Sequence, residues 1–275
     1  MGDRRQALAW EESWATPAAL AALGAVVFVV AAIVVAAQVG GGGESELLRN
    51  VDAHRGAQMV SSVLQAIGVG LLAVPLYYLF RAARVRSDRM RGQLVGVVVV
   101  APLFLAALAI LSGISTLSAA SEFVSDEVPR LLAKGVQLNS DRADEIANDM
   151  IAEAPLRGLA AGFGIAGQLG FAVAMAYTCV HAMRVGLLPR FWGSLGVALG
   201  AVSFLFFQFA LLWFIYLGVL LLRRDGQPPA WAAGEAVPWP APGEKAATEL
   251  SASGQNEEPP PIEDPQEPAE RGQSQ

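Results

Sequence analysis

The chain has 275 residues, 54% of them hydrophobic and 16% charged, with a net charge of −6. Soluble domains carry about a quarter charged residues, so this composition excludes an ordinary soluble globular protein. Nine acids and two bases from Gly226 onward account for the negative sign, and the near-neutral remainder excludes a bulk basic surface for nucleic acid.

The apolar residues are bunched in runs of about 20, the length that crosses a hydrocarbon core about 30 Å thick. The N-terminus, MGDRRQALAWEESWAT, carries Arg4 and Arg5 without the surroundings of a twin-arginine export signal. The run that follows, 17–38, is too long for a cleavable signal core and reads as a first spanning helix. Thr16 is placed to cap it and Pro17 to occupy its first turn. Gly40 to Gly43 end it, and a polar loop follows to Arg55. The second span is 57–80, with Pro75 inside and Tyr77, Tyr78 and Phe80 at its end, where aromatics suit the headgroup layer. Then comes Arg81 to Arg91, five arginines and one aspartate between two apolar runs. The third span is 93–119, interrupted by Pro102. Pro75 and Pro102 each remove a backbone donor, which predicts a kink in both helices.

Residues 122–153 form the one sizeable polar loop. Its first part predicts a short surface helix broken around Pro129, punctuated by Gly135 and Asn139. Its second part predicts a helix started by Ser140 or Asp141 and running straight into the fourth span, 156–183, with Pro155 at the junction. That span is glycine-rich. Gly158 and Gly162 are four apart, as are Ala166 and Gly170, a spacing that lets helix backbones approach in lipid. The next segment, 186–222, is 37 residues long and mostly apolar, and would make a helix of about 55 Å, too long for one crossing. Two short crossings, 186–204 and 207–222, with a turn over Ser203 to Gln208, fit better. They also gather Arg4, Arg5, Arg81 to Arg91, Arg184, Arg190, Arg223 and Arg224 on one side, the cytoplasmic side under the positive-inside rule. The expected fold is therefore an all-α integral membrane bundle of six transmembrane helices, with five as the alternative. From Gly226 the chain holds ten of its sixteen prolines and few apolar residues, which predicts a disordered, cytoplasmic Pro/Glu-rich tail over 226–275. Trp231 and Trp239 are the exceptions, placed to lie against the headgroups.

HAMRVGLLPRFWGSLGVALG, followed by LLLRRDGQPPAWAAGEAVPWP, resembles a group of actinobacterial multi-pass membrane proteins of unknown function. They share a glycine-spaced helix after a Gly-Leu-Leu turn and a PPAW…GEA…PWP junction after the last helix. The resemblance covers about His181 to Pro240. It implies six helices, cytoplasmic N- and C-termini and a bacterial plasma membrane, and it implies no activity. This chain departs in having almost no linker between its last two apolar runs.

Candidate chemistry is sparse. Asp141, Glu145, Asp149 and Glu153 recur every four residues and line one helix face. Such a row offers a speculative site for a divalent cation or a basic partner; a solvated acidic face is the plainer account. Gln65, Ser115 and Gln168 are a speculative polar cluster inside the bilayer, beside Ser61, Ser62, Ser112, Thr116, Thr178 and Gln208. Such residues are more often interhelical hydrogen-bond partners. The single cysteine, Cys179, rules out an intrachain disulfide and, with His181 and His54, is too little for a metal site. The sequence carries no serine elbow, zinc-protease, phosphate-loop or dinucleotide motif and implies no catalytic residue or cofactor. PPPIEDPQEP in the tail offers a polyproline ligand, against the plainer solvated tail. Three classes of function follow: a non-catalytic component acting by packing, by a protein partner or by self-association through small-residue faces; a transporter or channel for a small neutral solute; and a membrane-embedded enzyme.

Overall fold

The structure, a computed structural model, describes residues 2–138, 140–203, 207–223 and 227–239, with side chains from Gln6. Asn139, residues 204–206 of the expected turn, Arg224 and the expected disorder beyond Trp239 lie outside the described residues. Among the described residues every regular element is helical.

Helix α1 (Gly2–Ala36) starts well before Pro17, which corrects the expected start at Thr16. QALAWEESW is rich in helix formers, and Pro17 deletes only one bond, to the Ser13 carbonyl. The expected polar loop after it contains α2 (Glu44–Ala53), which buries Leu48 and Val51. The second span is two helices, α3 (Arg55–Leu71) and α4 (Ala73–Val85). The break falls at Leu72, where Pro75 has no N–H to offer the Leu71 carbonyl. A 3-10 turn, Gly92–Leu94, leads into α5 (Val95–Glu122), which passes through Pro102 without interruption.

Beyond α5 the chain continues through a π-helical turn, Phe123–Glu127, into α6 (Val128–Ala133). The separate surface helix broken around Pro129 is thereby corrected. Pro129 directly follows the π-helical turn, at the second residue of α6, and removes one bond without ending the helical stretch. The helical stretch Gly92–Ala133 has 42 residues, about 63 Å, and overshoots the bilayer core about twofold. Helix α7 (Asp141–Glu153) starts as expected, with Ser140 Oγ accepting the Ala143 N–H at 3.4 Å. Its expected continuity with the fourth span is corrected. Pro155 drives Ala154 to extended geometry (ψ 145°), and Leu156 takes a left-handed φ of +68°. Helix α8 (Arg157–Arg184) therefore begins afresh.

The last apolar segment is two helices, α9 (Arg190–Val202) and α10 (Phe207–Leu222), about 20 and 24 Å long. A short helix, α11 (Pro229–Ala233), follows. Among the described residues four helical stretches are long and apolar enough to cross a membrane: Gln6–Ala36, Arg55–Val85, Gly92–Ala133 and Arg157–Arg184. Val27, Val34, Leu169, Val173 and Leu212 remain more than half exposed on their outer faces. In water such a surface would be prohibitive, so these faces mark the chain as membrane-embedded.

Packing runs in a closed order, α1 on α3, α3 on α5, α5 on α8, α8 on α9, α9 on α10 and α10 on α1. Helix α4 touches α1, α5 and α8 and buries eight of its thirteen residues, so it is the hub. The core around it holds Leu72, Leu76, Leu79, Phe80, Phe171, Met175, Trp213 and Phe214. Glycine sets two of the closest approaches. A Cβ on Gly68 would lie 2.9 Å from the Ala25 carbonyl of α1, and one on Gly167 would lie 3.0 Å from the Leu105 nitrogen of α5. A second, smaller core joins Leu48, Val51, Phe123, Leu131, Ala143 and Ala147 at the acidic end.

Candidate functional site at the basic end

The three polar residues expected to converge do not share the cavity that holds one of them. Gln65 lines a small cavity of about 90 Å³ with Ser61 and Gln208, between α1, α3 and α10. Ser115, buried on α5, and Gln168, half-buried on α8, do not line it. Ser61 Oγ donates to the Ala32 carbonyl of α1 at 2.9 Å, an interhelical bond of the plainer kind. Thr116 Oγ1 donates to Ser112 within its own helix.

Asp141, Glu145, Asp149 and Glu153 are all exposed along α7, and Arg142 pairs with Glu145 at 2.5 Å. The acid that makes a tertiary contact is Asp144, outside that row. Its Oδ1 accepts the Ser45 N–H at 2.8 Å and so satisfies a free amide in the first turn of α2. The Ser45 N–H, with Arg49 nearby, holds the Asp144 carboxyl below the usual carboxylate range. The hydroxyl's proton goes to the Leu138 carbonyl at 2.7 Å, so the N–H is the donor that serves Asp144. His181 is buried against Tyr177, ring centroids 4.4 Å apart, and Cys179 is a buried free thiol. Among the described residues, no three His, Cys, Asp or Glu side chains are grouped to hold a metal ion.

The best-built polar site lies at the opposite end, and sequence reasoning missed it. Of the five arginines of the basic loop, Arg86 alone turns fully inward, its side chain 0% exposed. Its Nη1 and Nη2 donate to the two carboxylate oxygens of Glu11 at 2.5 and 2.8 Å, a bidentate pair. Nη1 also donates to the Ala82 carbonyl at 2.9 Å, and Nε to the Ala230 carbonyl at 3.2 Å. One guanidinium thus joins α1, α4 and α11. Tyr78 donates to the Glu11 carbonyl at 3.1 Å and is stacked between Trp10 and Trp231, at 5.5 and 5.8 Å. Arg81 lies over the outer ring, 3.9 Å from the Trp10 centroid.

Gln227 to Trp239 packs on this end, which corrects the expected tail boundary at Gly226. Trp231 Nε1 donates to the Leu187 carbonyl and Trp239 Nε1 to the Leu188 carbonyl, both at 2.9 Å. The Val237 N–H donates to Val185, and Arg190 Nη2 to the Trp239 carbonyl, at 3.1 Å each. Gly186 makes this docking possible. It holds φ +82°, and a Cβ there would collide with the Val237 carbonyl. The PPAW…PWP junction and the Gly-Leu-Leu turn are therefore two halves of one contact. Recurrence of two tryptophans in a polar, proline-rich stretch was the available signal, since an indole has an apolar body and one donor to place.

Two cavities open beside this junction. One, about 370 Å³, is lined by Leu8, Glu11, Glu12, Tyr78, Gln227 and Trp231 among others. The other, about 460 Å³, is lined by Met183, Arg184, Arg190, Ser194, Pro238 and Trp239. Comparison of the chain with protein-family models, with curated proteins and with solved structures finds no match.

Proposed function

We propose that this chain is a non-catalytic, multi-pass component of a bacterial plasma membrane that acts by packing and by binding a protein partner, a second copy of itself included. The observation that carries this reading is how its best-formed ionic site is used. Glu11 and Arg86 meet each other bidentately and hold three segments together. An acid, base or nucleophile needs a reactive atom directed at a substrate, whereas these groups face one another.

In this reading α9 and α10 also cross, giving six spans, with both termini and the basic end in the cytoplasm. Gathering of Glu11, Arg86, the turn 185–188 and the arm 227–239 at one end supports that topology, because they are joined in one contact network. Self-association is supported by α8. Gly164, Gly167 and Gly170 are closed off by α5, while a Cβ on Gly158 or Gly162 would meet nothing within 4 Å. Those two leave an open small-residue face for a second helix.

A cysteine-accessibility map in intact cells tests the topology. Single cysteines in a Cys179→Ala background should react from outside at the exposed Ser125→Cys and only after permeabilisation at Ser87→Cys and Ser253→Cys. External labelling at Ser253→Cys would sink the six-span arrangement. Gly162→Cys should oxidise to a disulfide-linked dimer in membranes. Its failure to do so while Val173→Cys does would remove the α8 face as the contact.

A further inference from the structure

We propose that the cavity between the end of α8, the start of α9 and the arm 227–239 binds the phosphate of an anionic phospholipid headgroup. Three features of this cavity carry the inference. It is about 460 Å³, and the two charged residues that line it, Arg184 and Arg190, are both cations. Among the described residues no carboxylate lines it and no ion pair engages Arg184. Its remaining lining is graded as a headgroup needs. Ser194 supplies a hydroxyl, while Met183, Pro238 and Trp239 supply an apolar wall.

Position argues for a lipid over a soluble anion. Arg184 ends α8, a helix long and apolar enough to cross the bilayer, so the cavity stands at the headgroup level of that crossing. Phe191, the second residue of α9, is 68% exposed beside it, an apolar surface that only acyl chains or another protein would cover. Basic cavities between spanning helices at the headgroup level are the recognised chemistry for anionic lipid heads, and an exposed cation there gains from the leaflet's own negative charge. Trp239 fixes the far wall. Its indole is held by the Leu188 carbonyl and its own carbonyl by Arg190, so the cavity exists only while the arm is docked. The site thus links the docked arm to the lipid beneath it.

The inference rests on α8 crossing the bilayer, which is part of the functional reading above, but not on the orientation of that crossing. The test uses the full chain in symmetric nanodiscs, where both leaflets present the same headgroups. Phosphatidylcholine discs are titrated with phosphatidylglycerol, and bound lipid is counted by native mass spectrometry alongside thermal stability. The expected result is one saturable phosphatidylglycerol per chain, a rise in melting temperature, and at least about fivefold weaker binding in Arg184→Gln. Arg223→Gln removes a cation outside the cavity and should bind as the parent does. Trp239→Ala should weaken binding as well, by releasing the arm. Equal loss in Arg223→Gln and Arg184→Gln would show diffuse attraction to a charged surface and overturn the site. Inorganic phosphate protecting the chain as well as the lipid does would overturn the lipid assignment. A failed cysteine map with intact lipid binding would strike only the topology, and the reverse would strike only this site.

Discussion

Replacing Arg86 by methionine tests whether the Glu11–Arg86 pair holds the basic end together. The two side chains are 0% and 6% exposed, so a charge left without its partner regains little hydration. Arg86→Met strands the Glu11 carboxylate and removes the donors to the Ala82 and Ala230 carbonyls. Breaking one side of a buried pair costs about 3–5 kcal/mol. Glu11→Leu, which strands the guanidinium, should cost a similar amount. The double variant replaces both charges by apolar groups of comparable volume and should lose only about 1–2 kcal/mol, the share of the two carbonyls left without a donor. Reversible unfolding of the purified protein in mixed detergent micelles, followed by tryptophan fluorescence, gives all three values. The coupling energy should exceed about 3 kcal/mol. A double variant destabilised by the sum of the singles would refute the reasoning, because it would mean that each group is held by something other than its partner.

Four further outcomes follow from the same contacts. Deleting 240–275 should leave the melting temperature unchanged, whereas deleting 227–275 should lower stability by at least about 3 kcal/mol through loss of buried Trp231, both read by thermal unfolding. Gly196→Ala should destabilise by about 1–3 kcal/mol, since its Cβ would lie 2.5 Å from Cys179 Sγ, while Gly162→Ala should be neutral or slightly stabilising. Because the folded Asp144 titrates below the ordinary value of about 3.9, its contribution is present above that pH and is lost as pH falls through the lowered value. A melting-temperature profile from pH 7 to 3 should therefore fall at its acid end, and Asp144→Asn should lower the plateau and flatten that fall. Calcium should stabilise no more than sodium at equal ionic strength; a saturable calcium effect lost in Asp149→Asn would make the α7 acid row a site.

Long apolar runs made the four long spans legible, because a bilayer-spanning helix needs nothing but length and composition to declare itself. Ser140 declared the start of α7 in the same local way, and the length of 186–222 declared that it could not be one helix. The misplacements share a cause. Pro17 and Pro129 looked like boundaries, but a proline near a helix's start or among lipid-supported turns removes one bond without ending the helix. Leu156 took a left-handed conformation that nothing about leucine suggests, imposed by Pro155 and the redirection of the chain. At the basic end the failure was of range. Glu11 and Arg86 are 75 residues apart, and Arg86 and Ala230 are 144 apart. Composition assigned the arm to a solvated tail because it weighs residues singly. Two indoles finding two consecutive carbonyls is a fact about a pair of segments.

That separation has a consequence for biosynthesis. At translation rates of about 5–20 residues per second, Ala230 follows Arg86 by about 7 to 30 s. Through that interval Glu11 and Arg86 can already meet, but the Tyr78 face that Trp231 will cover stays open. Closure waits for the arm, so α11 reports that the helices before it have been made and threaded. A nascent chain halted before Trp231 would display an uncovered aromatic face beside a half-wrapped ion pair. It would thereby be distinguishable, to a membrane protease, from one that had finished.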